Sequence, residues 1–312
     1  MRIFVTGASG WIGSAVVPEL IGAGHQVVGL ARSDASAAAI EAAGAEVQAG
    51  TLDDLAVLEK AAREADGVIH LAFKHELSFT GDYEGAAAAD RAAVETFVVA
   101  LAGSGRPFVL ASGLLGLTPG RMATEADGHG EDWQTAHAAP GPTARRATAE
   151  LVLSLADRGV RSSVMRLPPT VHGDGDNGFM ALLVGIARAS GVSGYLGDGA
   201  NRWPATHRSD VARLFRLAVE HAPAGSTLHA VAEEGVPIRA VAGSIGRQLD
   251  LPEVAIREAE AADHFGFLAT FLGLDSPASS SATRELLDWR PTGPGLVEDL
   301  DQGHYLRTPS AS

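Results

Sequence analysis

Cysteine is absent from all 312 residues, and with it go disulfides, thiolate nucleophiles and every metal site built on sulfur. Positive charge is scarce: 24 Lys and Arg face 38 Asp and Glu, a formal charge of −14, and no basic block interrupts the deficit. Nothing here would grip DNA or an anionic membrane face, so neither nucleic acid nor membrane is an expected partner. No apolar run approaches the ~20 residues of a membrane-spanning helix. The opening Met1-Arg2-Ile3-Phe4-Val5-Thr6 runs into glycine before the apolar stretch of a secretion signal could form. A cytoplasmic protein is expected. Two further scarcities matter below: lysine occurs only at Lys60 and Lys74, and tyrosine only at Tyr83, Tyr195 and Tyr305.

What is present is the material of a globular core, 46% hydrophobic residues with 20% charged. Short β-branched runs recur at Ile3 to Thr6, Val27 to Leu30, Glu46 to Gln48, Val68 to Leu71, Phe108 to Ala111 and Ser163 to Leu167. Helical stretches separate them, among them Trp11 to Gly22, Asp54 to Glu64, Ala86 to Ala102 and Thr143 to Arg158. Strands alternating with helices predict an α/β fold: a doubly wound (Rossmann) parallel sheet covered on both faces. After Pro168 the rhythm changes and Gly and Pro become frequent. A helix from Ser209 to His221 and a strand from Ser226 to Ala232 return late elements to the sheet. The predicted division is a nucleotide-binding unit over 1–171, with those elements near 209–232. A smaller C-terminal substrate lobe would take 172–208 and 233–306. Residues 308–312 are expected to fray.

The turn Gly7-Ala8-Ser9-Gly10-Trp11-Ile12-Gly13 follows the first strand at once and opens the first helix. Glycine there permits positive φ and lets backbone N–H groups approach a pyrophosphate at the positive helix end. Gly7, Ser9, Gly10, Trp11, Ile12 and Gly13 are therefore candidate cofactor contacts, although the GxxGxxG spacing is not the GxGxxG of the usual dinucleotide fingerprint. At the end of the second strand stand Arg32 and Ser33. A guanidinium and a hydroxyl suit a 2′-phosphate, where an acid would suit a free ribose, so NADP(H) is the expected cofactor. Leu52 and Asp53 follow the third strand and could flank the adenine; Asp53 could equally cap the next helix. No metal site is expected. HExxH is absent, and Asp174-Gly175-Asp176-Asn177-Gly178 reads as a polar turn, too short for a calcium loop.

These motifs resemble the extended and atypical branch of the short-chain dehydrogenase/reductase superfamily, the NAD-dependent epimerase/dehydratase group. Thr6 to Gly13 is similar to its TGxxGxxG, and Val68-Ile69-His70-Leu71-Ala72 to the strand beneath the cofactor. Arg166-Leu167-Pro168-Pro169-Thr170-Val171-His172-Gly173 resembles its RPxxVYG loop, with His172 in place of tyrosine. Gly197-Asp198-Gly199, His207 to Ala212 and Thr283 to Thr292 resemble segments further along, so the similarity is collinear over nearly the whole chain. The resemblance implies nicotinamide-dependent hydride chemistry and adds Leu71, Ala72 and Pro168 as cofactor neighbours. It also implies dimerisation through Ala86 to Ala102 and Thr143 to Arg158.

The family's acid/base pair, Tyr-x-x-x-Lys, has no counterpart. Four residues beyond Tyr83, Tyr195 and Tyr305 stand Ala87, Gly199 and Pro309. Aligning on Ala149-Glu150 puts Arg146 in the lysine position and Pro142 in the tyrosine position. Arg146 can supply fixed positive charge but cannot shuttle a proton at neutral pH. Ser112, at the end of the fifth strand, and His172 are the candidates to polarise or protonate a substrate. The reading that follows is an NADPH-dependent reductase of a small carbonyl or imine, acting as a homodimer. Nucleotide-sugar epimerisation or dehydration, and cofactor sensing without chemistry, are the alternatives. Lys74 and His75 sit near a possible substrate entrance, Trp203 and Tyr195 suit aromatic packing, and Asp210 or Ser209 is expected to cap its helix.

Overall fold

A computed structural model describes residues 1–79, 81–130 and 142–307; the expected fraying of 308–312 lies outside the described residues. The first half alternates as predicted: β1 (Arg2–Thr6), α1 (Gly13–Gly22), β2 (Gln26–Ala31), α2 (Asp34–Ala42), β3 (Glu46–Ala49), α3 (Leu55–Glu64), β4 (Gly67–His70), α4 (His75–Phe79), α5 (Tyr83–Leu101), β5 (Pro107–Gly113), α6 (Pro142–Ser154) and β6 (Arg161–Leu167). The second half contains β7 (Thr170–His172), α7 (Phe179–Ser190), β8 (Ser193–Leu196), β9 (Arg202–His207), α8 (Arg208–His221), β10 (Ser226–His229), β11 (Glu233–Pro237), α9 (Ile238–Leu249), β12 (Glu253–Ile256), α10 (Ala261–Phe265), α11 (Ala269–Leu272), α12 (Ser281–Leu287) and α13 (Leu296–Asp301).

Seven strands form one sheet in the order β10-β6-β5-β4-β1-β2-β3, every pairing parallel. This is the doubly wound architecture the alternation predicts. Successive side chains of a strand point to opposite faces, and β1 shows why its sequence is apolar throughout. Ile3 and Val5 pack in one core with Val16, Val17 and Leu20 of α1 and Phe215 of α8. Phe4 packs in the other with Leu58 of α3, Phe97 of α5 and Phe108 of β5. Both faces are covered, so no strand needs a polar side.

Two small sheets, β11-β9-β7 and β12-β8, lie outside the seven-stranded one. A further core includes Trp203, Met180, Val241, Phe265, Leu268 and Leu272. The indole N–H of Trp203 donates to the Leu274 carbonyl at 3.1 Å, so aromatic packing accounts for this side chain, which is 1% exposed. The predicted strand Ser226 to Ala232 stops at His229, because the backbone beyond it changes sheet. Ala230 N–H still donates to the Arg166 carbonyl, whereas Ala232 N–H donates to Ala205 in β9. The start of α8 also differs from expectation. His207 caps it, accepting from Ser209 N–H, while the Asp210 carboxylate reaches instead to Thr292 and Gly293.

Candidate active site

Strand order reverses between β1 and β4, and the carboxyl ends of a doubly wound sheet open a crevice at such a point. The glycine turn leaves β1 there. Gly7 has φ of +69°, and a Cβ on it would lie 2.9 Å from the Ala72 nitrogen. A Cβ on Gly13 would lie 2.1 Å from the Gly7 carbonyl oxygen, while Gly10 N–H donates to that same oxygen at 3.0 Å. The turn is thus folded onto itself, with Ser9 and Gly10 exposed at its crest. Only glycine permits this packing, and the cradle at the start of α1 fits a diphosphate. Ile12 is the N-cap residue of α1 and offers no side-chain cap; Ser14 and Ala15 N–H already bond the Gly10 and Ile12 carbonyls, so the N–H groups of Ile12 and Gly13 are the ones that could meet a ligand. Trp11 turns away: its indole N–H donates to the Val171 carbonyl at 2.9 Å, and Arg208 lies over its ring at 4.4 Å.

Beneath the turn runs a buried polar chain. Thr6 Oγ1 accepts Ala72 N–H at 3.2 Å and meets His70 Nδ1 at 2.6 Å. On its other side His70 Nε2 stands 3.2 Å from the Asp90 carboxylate, both side chains almost wholly buried. This chain fixes the Leu71-Ala72 backbone against Gly7.

On the adenine side, Ser33 caps α2 by accepting Ser36 N–H. Arg32 is 68% exposed and paired at 2.7 Å with Glu76 of α4. Leu52 is buried. Asp53 does not cap α3; its carboxylate accepts from Lys74 Nζ at 2.7 Å, and Asp54 takes the N-cap position. Lys74 is thereby tied to the loop that Asp53 occupies.

On the nicotinamide side, Ser112 is buried at the end of β5, in register with Arg166 of β6. Arg146 is half-buried on α6 and donates to Thr143 Oγ1 at 3.0 Å. Its neighbour Arg145, which the sequence reading passed over, reaches closer to the sheet. It donates to the Ala111 carbonyl at 3.4 Å, lies 4.2 Å over the Phe73 ring and stands near enough to the Tyr83 hydroxyl for its charge to act there. Tyr83 opens α5, with its ring 5.9 Å from that of Phe73. The signal for Arg145 was present as a second arginine in the same turn; an anchor several residues away could not resolve which of the two reaches the end of β5.

Pro168 is buried in the short link between β6 and β7. His172 is fully buried, and its Nδ1 meets Asp299 of α13 at 2.9 Å. Asp299 also stands 3.5 Å from His304. Nearby, Asp176 accepts Tyr305 O–H and Gly178 N–H, so the polar turn is a clasp for the chain's last described helical turn. Among the described residues, no group of three or more His, Asp or Glu could hold a metal ion.

Behind Ser112 lies a buried cationic layer. Arg166 donates to the Asp127 carbonyl at 2.6 Å and faces His229 Nε2 at 3.4 Å. His229 Nδ1 stands 2.8 Å from the Ser279 carbonyl, an arrangement that suits neutral imidazole donating from Nδ1. Burial pushes the His229 pKa down from 6.5 to about 4. The unfolded chain therefore binds a proton that the fold refuses. Stability should be constant above pH 6.5, fall as the pH drops toward 4, and level off below it. Urea denaturation at pH 7.5, 6 and 5 should show this fall, and His229→Gln should reduce it between pH 6.5 and 5, leaving the part contributed by His75, His207 and His264, which burial also lowers.

The family model of the NAD dependent epimerase/dehydratase family matches residues 3–231. An uncharacterized protein of Schizosaccharomyces pombe is 46% identical over 98% of this chain and 100% of its own length. The 4-hydroxy-2-methyl-3-oxo-4-farnesyl-3,4-dihydroquinoline-1-oxide ketoreductase of Stigmatella aurantiaca is 28% identical, covering 85% of this chain and 80% of its own. Among solved structures, the dTDP-glucose 4,6-dehydratase DesIV of Streptomyces venezuelae with NAD bound superposes with a TM-score of 0.72. That match is 20% identical and covers 97% of this chain and 96% of the other. With the glycine cradle in place at the sheet crossover and the family model spanning most of the sequence, this chain belongs to the NAD-dependent epimerase/dehydratase family.

Proposed function

We propose that the protein is an NADP(H)-dependent oxidoreductase that reduces a small carbonyl or imine compound. The observation that carries this reading is the closed glycine turn at the sheet crossover, with Ser112 two strands away at the same edge. A ketoreductase among the relatives supports the direction of the reaction. Gly7, Ser9, Gly10, Ile12 and Gly13 would hold the diphosphate, Arg32 and Ser33 the 2′-phosphate, Leu52 and Asp53 the adenine, and Leu71, Ala72 and Pro168 the remainder. When bound, the reduced nicotinamide supplies a hydride. Ser112 Oγ then donates to the heteroatom that gains charge. Arg146 holds ribose hydroxyls and keeps fixed positive charge beside that centre, because a guanidinium does not deprotonate at neutral pH. His172 is shut away on Asp299, so we assign it to holding β7 against α13; Ser112 polarises by hydrogen bonding, and the net proton comes from solvent or arrives on the substrate, as it can on an imine.

A second reading, nucleotide-sugar epimerisation or dehydration, is favoured by the family match. Those reactions remove a proton from a sugar hydroxyl, and no tyrosine of this chain stands four residues before a lysine. We also infer a homodimer through α5 and α6; Val99, 59% exposed on α5, is an apolar residue such pairing would cover. No helix among the described residues is long and apolar enough to cross a membrane.

Calorimetry with NADPH and NADH tests the reading. Arg32→Ala should weaken NADPH by about tenfold and leave NADH unchanged, since one charge-assisted contact to phosphate is removed. Glu76→Gln should strengthen NADPH a few-fold by releasing Arg32. Cyclic imines and activated ketones should each be assayed for NADPH oxidation. Retention of neither nucleotide would sink the proposal.

A further inference from the structure

Arg145 stands beside the proposed reaction centre without a counter-ion among the described residues. The described groups that meet it are neutral: the Ala111 carbonyl and the face of Phe73, with the Tyr83 hydroxyl nearby. Its Nε is buried and has no hydrogen-bond partner among the described residues, and no described carboxylate lies within ion-pair distance of it. Arg32, Arg91, Arg202, Arg213 and Arg216 each meet an acid, and Arg106, Arg161, Arg188 and Arg284 bond backbone carbonyls; among the described residues Arg145 is set apart by its buried, unpartnered Nε. Asp90, whose charge is felt at both Tyr83 and His75, gives one oxygen to His70.

A half-buried guanidinium with an unused donor has lost hydration without compensation, so its position is costly unless a ligand supplies the missing charge. Phe73 on one face leaves the in-plane edge for that ligand. A carboxylate accepts two parallel N–H groups in that plane, which makes it the matching anion.

We infer that Arg145 receives a carboxylate of the substrate, which makes the substrate class a small oxo acid, with its carbonyl at Ser112 and its acid group at Arg145. This rests on the proposed reduction at Ser112 and names the substrate class for that site. Arg145 bonds the residue that precedes Ser112, so the two groups are one short carbon chain apart at the end of β5.

The probes are acetoacetate and levulinate against their ethyl esters, titrated into the NADPH complex and read by quenching of the reduced nicotinamide fluorescence. The acids should bind about tenfold more tightly than the esters, the scale of one charge-assisted bidentate contact. Arg145→Met should erase that difference, Arg145→Lys should keep part of it, and the NADPH Kd should stay within about threefold in both variants. Equal binding of acids and esters by the wild-type protein overturns the inference without reference to any variant. So does an Arg145→Met protein that loses NADPH as severely as it loses the acid, because the anion would then belong to the cofactor. If the wild-type protein binds no NADPH, the proposed function fails on its own account. Calorimetry of the acids with the cofactor-free protein then decides for or against Arg145.

Discussion

Gly13→Val should abolish NADPH binding, with Kd rising at least about a hundredfold, and should lower stability by about 1–3 kcal/mol, the usual cost of overpacking. The reason is geometric. The position of a Cβ at residue 13 is already occupied, 2.1 Å from the Gly7 carbonyl oxygen and 2.7 Å from that of Ala8. To admit a side chain the turn must open, and the N–H groups of Ile12 and Gly13 then no longer converge on a diphosphate. Loss of stability alone could mimic loss of binding, so the control is on the same helix. At Gly22 an added Cβ meets nothing within 4 Å, and Gly22→Ala should leave NADPH binding unchanged. Calorimetry on both variants, with circular dichroism to confirm that each is folded, separates the two effects. A Gly13→Val protein that folds and binds NADPH as tightly as the parent would remove the diphosphate cradle from the account.

The central sheet was legible because its strands are buried on both faces and so read as unbroken apolar runs. Ile3-Phe4-Val5 is the clearest case, with each residue committed to one core or the other. Boundaries moved by a few residues in several elements, as where α5 starts at Tyr83 and β5 runs from Pro107 to Gly113. The strand expected to reach Ala232 ends at His229 because β9 captures the backbone beyond it. The small sheets were opaque for the converse reason: β7, β8 and β12 are three or four residues long, and their pairings join segments distant in sequence. The site divides the same way. The glycine turn is a local motif and could be read directly, whereas Arg145 becomes visible only when α6, β5 and the Phe73 loop are brought together. Nothing local marks the burial of His172 either, since Asp299 lies 127 residues away.

Asp210 shows how a residue read as a helix cap can instead hold a C-terminal segment onto α8. It is 1% exposed. Its Oδ1 accepts Thr292 N–H at 2.9 Å and Arg213 at 2.8 Å, and its Oδ2 accepts Gly293 N–H at 2.8 Å. Its own carbonyl accepts the indole N–H of Trp289, a fully buried side chain, at 3.1 Å. The contacts with Trp289, Thr292 and Gly293 pin the segment after α12 onto the start of α8, whose other side packs on α1 beneath the glycine turn. Asp210→Ala strips the acceptor from two backbone donors and leaves Arg213 without its acid. The expected cost is about 3–5 kcal/mol, the range for a buried pair broken on one side. Asp210→Asn should cost less, because one oxygen remains, but the amide must turn N–H donors toward Thr292 or Gly293. Urea denaturation should show the midpoint falling in the order parent, Asn, Ala with the slope unchanged. A cap would behave otherwise: its loss costs about 1 kcal/mol and asparagine replaces aspartate nearly without penalty. An asparagine variant as stable as the parent would return Asp210 to the role of helix cap.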